Sequence, residues 1–142
     1  MNQSKNQQEF VFPLRVYYED TDAGGIVYYA NYLKFFERAR SEWLFYLGLD
    51  QVELLENAVA FVVKQAAIDY ISPARLNDAL EVVTQLSSLK AASVVFKQAV
   101  YKSGDREKPL VEGEIQAACL NMNTFKPCRF PTNVKEVLAS VC

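Results

Sequence analysis

The segment from residue 31 to residue 47 most restricts the fold, because its apolar residues recur with the period of an α-helix. Gly48 follows the segment and is placed to end that helix. One face of the predicted helix is apolar, comprising Tyr32, Phe35, Phe36, Ala39, Trp43, Tyr46 and Leu47. Leu33 and Leu44 widen the apolar arc to about half of the circumference, more than a surface helix needs. We therefore expect a deeply embedded helix, packed against a sheet that curves around it.

Five other segments are rich in β-branched residues and partly alternate between apolar and polar positions, as strands do. The predicted strands cover residues 11–18, 59–72, 80–90, 93–104 and 110–123. Short helices are predicted over residues 50–57 and 132–141, the second capped by Thr132 or Asn133. One long early helix followed mainly by strands predicts an α+β domain with an antiparallel sheet of about five strands.

The composition fits one globular domain that spans residues 1–142, since 51% of the residues are hydrophobic and no repeat or linker divides the chain. A net charge of −2 and the lack of a basic stretch argue against nucleic acid as a partner. No apolar run approaches about 18 residues, and the polar first residues do not resemble a signal peptide. We therefore expect a cytoplasmic protein.

The sequence contains no histidine, which is the usual general base at neutral pH and the commonest metal ligand. This absence excludes Ser-His-Asp and Cys-His hydrolases, HExxH proteases and dehydratases that depend on histidine. Catalysis would have to use carboxylates, lysine, tyrosine, cysteine or backbone groups. Cys119, Cys128 and Cys142 form no CxxC pair and are predicted to be free thiols in a reducing compartment, with no metal site.

The start of the long helix is preceded by a carboxylate and two glycines. Gly24 and Gly25 permit positive φ angles and close approach of a ligand to the backbone. The N–H groups of residues 28–31 lie where a helix leaves its donors unpaired, and such donors stabilise a developing oxyanion. Asp22 would then supply the nucleophile or the base. The alternative interpretation is that Asp22 only caps a turn that the glycines make possible.

A family resemblance is carried mainly by the stretch RVYYEDTDAGGIVYYANYLKFFERARSEWL. This stretch closely resembles the 4-hydroxybenzoyl-CoA thioesterase family of hotdog-fold proteins. AFVVKQAAIDYISPARLNDALEV, SVVF and KPCRFP resemble the branch of acyl-CoA thioesterases that accompanies the Tol-Pal envelope system of Gram-negative bacteria. The likeness covers residues 11–131. It implies a single hotdog domain with its core at about residues 10–131, in which a curved antiparallel sheet wraps round one central helix.

The resemblance assigns roles to individual residues. The catalytic carboxylate of the family falls on Asp22, and the backbone N–H that polarises the thioester carbonyl falls on Tyr29, where the branch commonly has histidine. Residues matched to substrate contacts are Gly24, Gly25, Val27, Tyr28, Glu37, Lys90, Ser93 and Arg129. Lys90, Ser93 and Arg129 would meet the nucleotide of CoA, with ordinary solvated surface as the alternative. For Glu37, an ion pair with Arg40 one turn further along the helix is equally open.

The resemblance implies an enzyme that hydrolyses acyl-CoA to a free acid and CoA. Asp22 would attack the carbonyl or activate water, with no metal and no cofactor, since CoA is part of the substrate. Acyl carrier protein is an alternative carrier of the thioester. A homodimer or homotetramer is implied, with peripheral association with the inner membrane or Tol-Pal components. The alternative function is a non-catalytic acyl-thioester-binding or envelope-associated scaffold protein.

Overall fold

A computed structural model describes residues 8–142 as one α+β unit. The helices are Asn31–Tyr46 (α1), Gln51–Glu56 (α2) and Thr132–Val141 (α3). The strands are Phe10–Arg15 (β1), Val59–Tyr70 (β2), Ala79–Leu89 (β3), Ser93–Lys102 (β4), Val111–Asn121 (β5) and Lys126–Pro127 (β6). All of the predicted strands and helices are therefore present, and β6 is a two-residue addition. No helix among the described residues is long and apolar enough to cross a membrane.

The five long strands form one antiparallel sheet in the order β1-β3-β4-β5-β2, and β6 pairs with the end of β5. Strands β3, β4 and β5 are a meander of sequential neighbours. Strand β2 precedes β3 in the chain but pairs with β5 at the far side of the sheet. The two edges of the sheet are therefore β1 and β2.

Strand β1 ends three residues earlier than the alternation predicts, because the backbone leaves the sheet at Val16. The Val16 N–H donates to the carbonyl oxygen of Asp78 at 2.9 Å, and the Val16 carbonyl accepts from the Asn77 N–H at 3.0 Å. The chain then forms a single 3-10 turn at Tyr18–Asp20. The first strand and the loop that follows it are thereby fastened to the turn before β3.

Helix α1 lies against the concave side of the sheet, which irregularities in two strands help to curve. The register shifts between Val63 and Gln65 in β2, and between Leu86 and Ser88 in β3. Close approach of the helix also depends on Gly113 in β5, where an added Cβ would lie 3.0 Å from the ring of Phe36. The sheet thus wraps round α1, as predicted.

The buried face of α1 is narrower than predicted. Its buried residues are Tyr32, Phe35, Phe36, Ala39, Trp43 and Leu44. Tyr46 and Leu33 remain 78% and 43% exposed, because the sheet covers less of the helix than the apolar arc would allow. The predicted end is correct: Gly48 has a φ of 86°, and the N–H of Leu49 donates to Leu44 in a Schellman motif.

The start of α3 differs from the predicted cap. Pro131 occupies the N-cap position in an extended conformation, with φ of −53° and ψ of 149°, and no side chain of the described residues caps the helix. Thr132 is already the first helical residue. The predicted caps at Thr132 and Asn133 are therefore wrong, because the helix begins directly after the proline.

Candidate active site

Asp22 lies in a tight hairpin turn between β1 and α1. Its N–H donates to the carbonyl of Ile26 at 2.9 Å, and its carbonyl accepts from the N–H of Gly25 at 3.1 Å. Gly25 has a φ of 78°, which glycine adopts without steric cost. Gly24 does not require this conformation, but an added Cβ there would lie 3.3 Å from Asp22 Oδ1. The two glycines therefore have different purposes, one in the turn and one beside the carboxylate.

The Asp22 carboxylate has one oxygen engaged and one oxygen free. Asp22 Oδ1 accepts a hydrogen bond of 2.8 Å from the N–H of Gly24. Within residues 8–142, no hydrogen bond or ion pair reaches Oδ2, and the side chain is exposed. The turn-capping interpretation of Asp22 is thus correct for Oδ1, and it leaves Oδ2 available for chemistry.

The loop that carries Asp22 is tied directly to the start of α1 through Asp20. The Asp20 carbonyl accepts from the N–H of Tyr28 at 3.0 Å and from the side-chain amide of Asn31 at 2.8 Å. Its buried carboxylate accepts from the N–H of Tyr17 at 2.8 Å. Sequence reasoning missed Asp20 and Asn31. An asparagine at a helix start suggests a local cap, and no local rule predicts a bond that reaches eleven residues back.

Two of the four N–H groups predicted to be unpaired at the helix start are free. The N–H of Tyr28 donates to Asp20, and that of Asn31 donates to the Tyr28 carbonyl at 2.8 Å. The N–H groups of Tyr29 and Ala30 have no protein acceptor in the part of the chain that the structure describes. Both precede the positive end of α1, where unpaired donors favour negative charge.

A pocket of about 280 Å³ opens beside these donors, between the Asp22 loop, the start of α1 and the residues that follow β2. Its aromatic wall consists of Tyr29, Tyr32 and Tyr70. The ring of Tyr70 lies 5.9 Å from that of Tyr29, edge to face, and 5.8 Å from that of Tyr32. Val27, matched to a substrate contact, is a buried part of the lining. Tyr70 lies forty-one positions beyond Tyr29, so sequence spacing could not place it here.

The phenols of Tyr32 and Tyr70 remain neutral at neutral pH. Burial raises the pKa of Tyr32, whose hydroxyl accepts a hydrogen bond of 3.1 Å from the N–H of Ala74. Burial, and then the neighbouring Tyr29, raise the pKa of Tyr70. Both phenols therefore keep their protons at neutral pH, and neither can take a proton as a general base there.

Glu37 and Arg40 line a separate cleft of about 120 Å³ beside β2 and do not pair with each other. Arg40 donates to Gln98 Oε1 at 2.9 Å, while Glu37 accepts from the hydroxyl of Ser41 at 2.6 Å. The alternative of a Glu37–Arg40 ion pair is therefore wrong: no such pair occurs within residues 8–142. Burial lowers the pKa of Arg40, although the charge of Glu37 opposes this shift.

Lys90, Ser93 and Arg129 lie together at the other end of the sheet. The N–H of Lys90 donates to the carbonyl of Ser93 at 2.8 Å, across the turn between β3 and β4. The N–H of Phe130 donates to Ala91 at 2.9 Å, which brings the preceding Arg129 beside the same turn. The three residues matched to nucleotide contacts thus form one cluster.

This cluster is far from Asp22 within one chain. Tyr29 packs on Tyr70, which pairs with Val111 in β5, and Val111 pairs with Val100 near the end of β4. Ser93 is the first residue of the same strand. Strand β4 spans about 30 Å at roughly 3.3 Å per residue. The structure therefore places Asp22 and Tyr29 at one end of the sheet and the cluster of Lys90, Ser93 and Arg129 at the other, while Glu37 lies in the cleft beside β2.

A sheet curled round one helix, with a carboxylate and free N–H groups at the helix start, defines a hotdog protein of the thioesterase class. Comparison with known families agrees, since residues 16–138 match the thioesterase-like superfamily. The chain belongs to that superfamily. The predicted fold and family are therefore confirmed.

Named relatives and solved structures support this classification. The acyl-CoA thioesterase YbgC of Haemophilus influenzae is 48% identical over 127 residues, 89% of this chain and 91% of that protein. The acyl-CoA thioester hydrolase YbgC of Escherichia coli O6:H1 is 41% identical over 91% of this chain and 95% of its own length. The crystal structure of a probable thioesterase from Bartonella henselae has a TM-score of 0.80 and 34% identity, covering 87% of this chain and all of that one. The BH1999 gentisyl-coenzyme A thioesterase has a TM-score of 0.79 and 28% identity, covering 87% of this chain and 98% of its own.

Proposed function

We propose that this protein hydrolyses acyl-CoA thioesters to a carboxylic acid and CoA. The observation that carries the proposal is that one hydrogen-bonded loop holds both a carboxylate with a free oxygen and two unpaired N–H groups. Asp20 joins these parts, because its carbonyl bonds to Tyr28 and Asn31 while Asp22 follows two residues later. The names of the acyl-CoA thioesterase relatives support the same reaction and substrate class.

In the proposed reaction, the thioester carbonyl accepts hydrogen bonds from the N–H groups of Tyr29 and Ala30. These donors stabilise the negative charge that develops on the oxygen during attack. The free oxygen of Asp22 then attacks the carbonyl carbon, forming a mixed anhydride as the CoA thiolate leaves, and water hydrolyses the anhydride. In the alternative route, Asp22 takes a proton from water, which attacks directly. Both routes yield one acid and one CoA.

The pocket beside the donors suggests the kind of acyl group. Its volume of about 280 Å³ lies just below the usual range for ligand pockets, about 300–1,000 Å³. The edge-to-face rings of Tyr29 and Tyr70 provide an aromatic wall that suits a flat ring or a short chain. We therefore expect short or aromatic acyl groups to be preferred over long ones.

The separation of the two residue groups supports a site that two chains complete. Edge strand β2 has exposed apolar residues, among them Val63 and Tyr70, and such an edge is normally paired or covered. Antiparallel pairing of β2 with its copy about a two-fold axis would bring the Arg129 end of one sheet towards the Tyr29 end of the other. The proposed assembly is a homodimer, or two such dimers in a tetramer.

The remaining expectations follow from the family resemblance. We expect the enzyme to act in the cytoplasm, on acyl-CoA and alternatively on acyl carrier protein thioesters. Association with the inner membrane or with Tol-Pal components is an expectation of the same kind.

The experiment that tests the proposal is thiol release from a panel of acyl-CoAs with straight-chain and aromatic acyl groups. Purified protein should release free CoA thiol well above a blank without enzyme, fastest with short or aromatic substrates. If the protein binds acyl-CoA but releases no thiol from any member of the panel, the non-catalytic alternative is correct.

A further inference from the structure

Cys119 and Cys128 form a close pair of thiols at the end of β5. The N–H of Cys128 donates to the carbonyl of Cys119 at 2.9 Å, so the two residues are neighbours across the β5–β6 hairpin. Their sulfur atoms are 3.5 Å apart, and both cysteines are free. A disulfide requires a sulfur separation of about 2.05 Å, so closure needs a movement of roughly 1.5 Å.

The two thiols differ in their surroundings. Cys119 is completely buried, and burial followed by its contact with Cys128 raises the pKa of its thiol to about 12. Cys119 is therefore protonated at neutral pH. Cys128 is partly exposed and can meet a dissolved oxidant directly. The accessible thiol of Cys128 therefore has a second thiol within reach, as redox-sensing cysteines often do.

We propose that Cys119 and Cys128 are a reversible dithiol–disulfide site that hydroperoxides oxidise. In the first step, the thiolate of Cys128 attacks a peroxide oxygen, becomes a sulfenic acid, and releases hydroxide, or an alkoxide from an organic hydroperoxide. In the second step, the sulfur of Cys119 attacks that of Cys128, forming the S–S bond. The leaving hydroxyl takes the thiol proton of Cys119 and departs as water. The pair loses two electrons, and the peroxide gains two.

The disulfide would act on the proposed site through Arg129, and this consequence rests on the proposed function. The Cys119 thiol donates to the carbonyl of Arg129 at 3.8 Å, and Arg129 directly follows Cys128. Oxidation removes this hydrogen bond and draws Cys128 towards β5. The guanidinium matched to a nucleotide contact of CoA is thereby displaced.

The first test is peroxide treatment of the full-length protein, followed by intact mass measurement and peptide mapping. The mass of the wild type should fall by that of two hydrogen atoms, and peptide mapping should show a disulfide between residues 119 and 128. Dithiothreitol should reverse both changes. Cys142→Ser is the matched control and should behave as wild type. Cys128→Ser should form no link, and Cys119→Ala should instead retain a sulfenic acid at Cys128 that dimedone traps. No mass loss in wild type, or a link to Cys142, would overturn the proposal.

The second test is steady-state kinetics of the oxidised protein with its best acyl-CoA. The KM should rise several-fold while kcat stays within about twofold, and reductant should restore the KM. Cys128→Ser should show no peroxide-dependent change. An unchanged KM in fully disulfide-linked wild type would overturn the coupling to Arg129. The mass measurement needs no substrate, so failure of the proposed hydrolysis would be distinguished from failure of the redox site.

Discussion

In the proposed mechanism Asp22 combines a structural and a chemical role, because only one of its two carboxylate oxygens is hydrogen-bonded within residues 8–142. Oδ1 accepts from Gly24 and holds the turn, whereas Oδ2 has no protein donor within residues 8–142. An asparagine can keep the first of these contacts through its amide oxygen. The two roles can therefore be separated by a single nearly isosteric substitution.

Asp22→Asn should leave the fold intact and remove most of the activity. The amide can neither attack a thioester nor accept a proton from water, and loss of such a group costs about 10²–10⁴ in rate. Thermal melts and thiol release would be measured side by side on wild type and mutant. If turnover survives at a level near wild type, Asp22 is only a turn residue, and Glu37 becomes the next carboxylate to replace.

Tyr29→Phe should retain most of the activity, because the proposed donor is the backbone N–H and the substitution does not alter it. Changes should appear mainly in the preference among acyl groups, since the ring lines the pocket beside Tyr70. The measurement is kcat/KM across the acyl-CoA panel. A loss of about a hundredfold, the usual cost of removing one oxyanion donor, would show that the hydroxyl takes part in the reaction.

The residues of the candidate site were predictable only where the signal is local. Asp22, the glycines and Tyr29 lie within one short stretch, so turn chemistry and the helix start could indicate them together. Asp20 and Tyr70 could not be found in this way. Asp20 acts mainly through its backbone carbonyl, and Tyr70 reaches the pocket only because β2 ends beside α1.

Helix α1 and strand β5 approach each other through Gly113. Gly113→Ala should destabilise the protein by about 1–3 kcal/mol, because overpacking forces neighbouring groups to shift. An added Cβ would lie 3.0 Å from the Phe36 ring and 3.2 Å from the backbone carbonyl of Ala67. Urea denaturation would measure the loss. Glu112→Ala, at the exposed neighbouring position, is the control and should change stability by less than about 0.5 kcal/mol.

Tyr32 links α1 to the segment between β2 and β3. Tyr32→Phe leaves the N–H of Ala74 without its acceptor and should cost about 1–3 kcal/mol at neutral pH. The pKa of Tyr32 is raised above its ordinary value of 10.0, so its stabilising effect is complete below pH 10 and is lost as the pH rises through the folded-state pKa. The stability difference between wild type and mutant should therefore shrink above pH 10. A difference that grows with alkaline pH in urea denaturation would contradict this account.

The ends of helices and strands were predictable where a local residue determines them. The pairing of the strands was not predictable in this way. Gly48 ends α1 because its positive φ is a property of the residue itself. The alternation within β2 identified a strand but not its neighbour. Its partner is β5, and every residue pair between them is more than forty positions apart in the sequence. Such pairing depends on how the whole sheet closes round α1.

At the level of the assembly, two variants that are each impaired in kcat/KM should restore each other. A mixed dimer of one Asp22→Asn chain and one Arg129→Glu chain would be purified through two different tags. In the proposed assembly, both changes then fall in one site and the other site stays intact. About half of the wild-type rate per dimer should return, because a two-fold dimer has two equivalent sites. No gain over the parent variants would show that the two residue groups do not meet between chains.

Two controls accompany this measurement. Light scattering of the wild type should give a mass above the 16.1 kDa of one chain. A mixed dimer of Asp22→Asn and Arg38→Glu chains should recover no more activity than a mixed dimer of Asp22→Asn and wild-type chains. Arg38 is an exposed residue of α1, so Arg38→Glu reverses a charge as Arg129→Glu does, without changing the proposed site.

The position of α1 in the chain has a consequence for biosynthesis. Its apolar face packs on β1, which precedes it in the chain, and on β3, β4 and β5, which are all translated after the helix is complete. At about 5–20 residues per second, the ribosome needs roughly 4–15 s to proceed from Tyr46 to Asn121. During this interval, the part of the apolar face of α1 that β3, β4 and β5 cover in the folded protein remains unburied. We expect it to be held by chaperones that bind apolar segments at the ribosome exit.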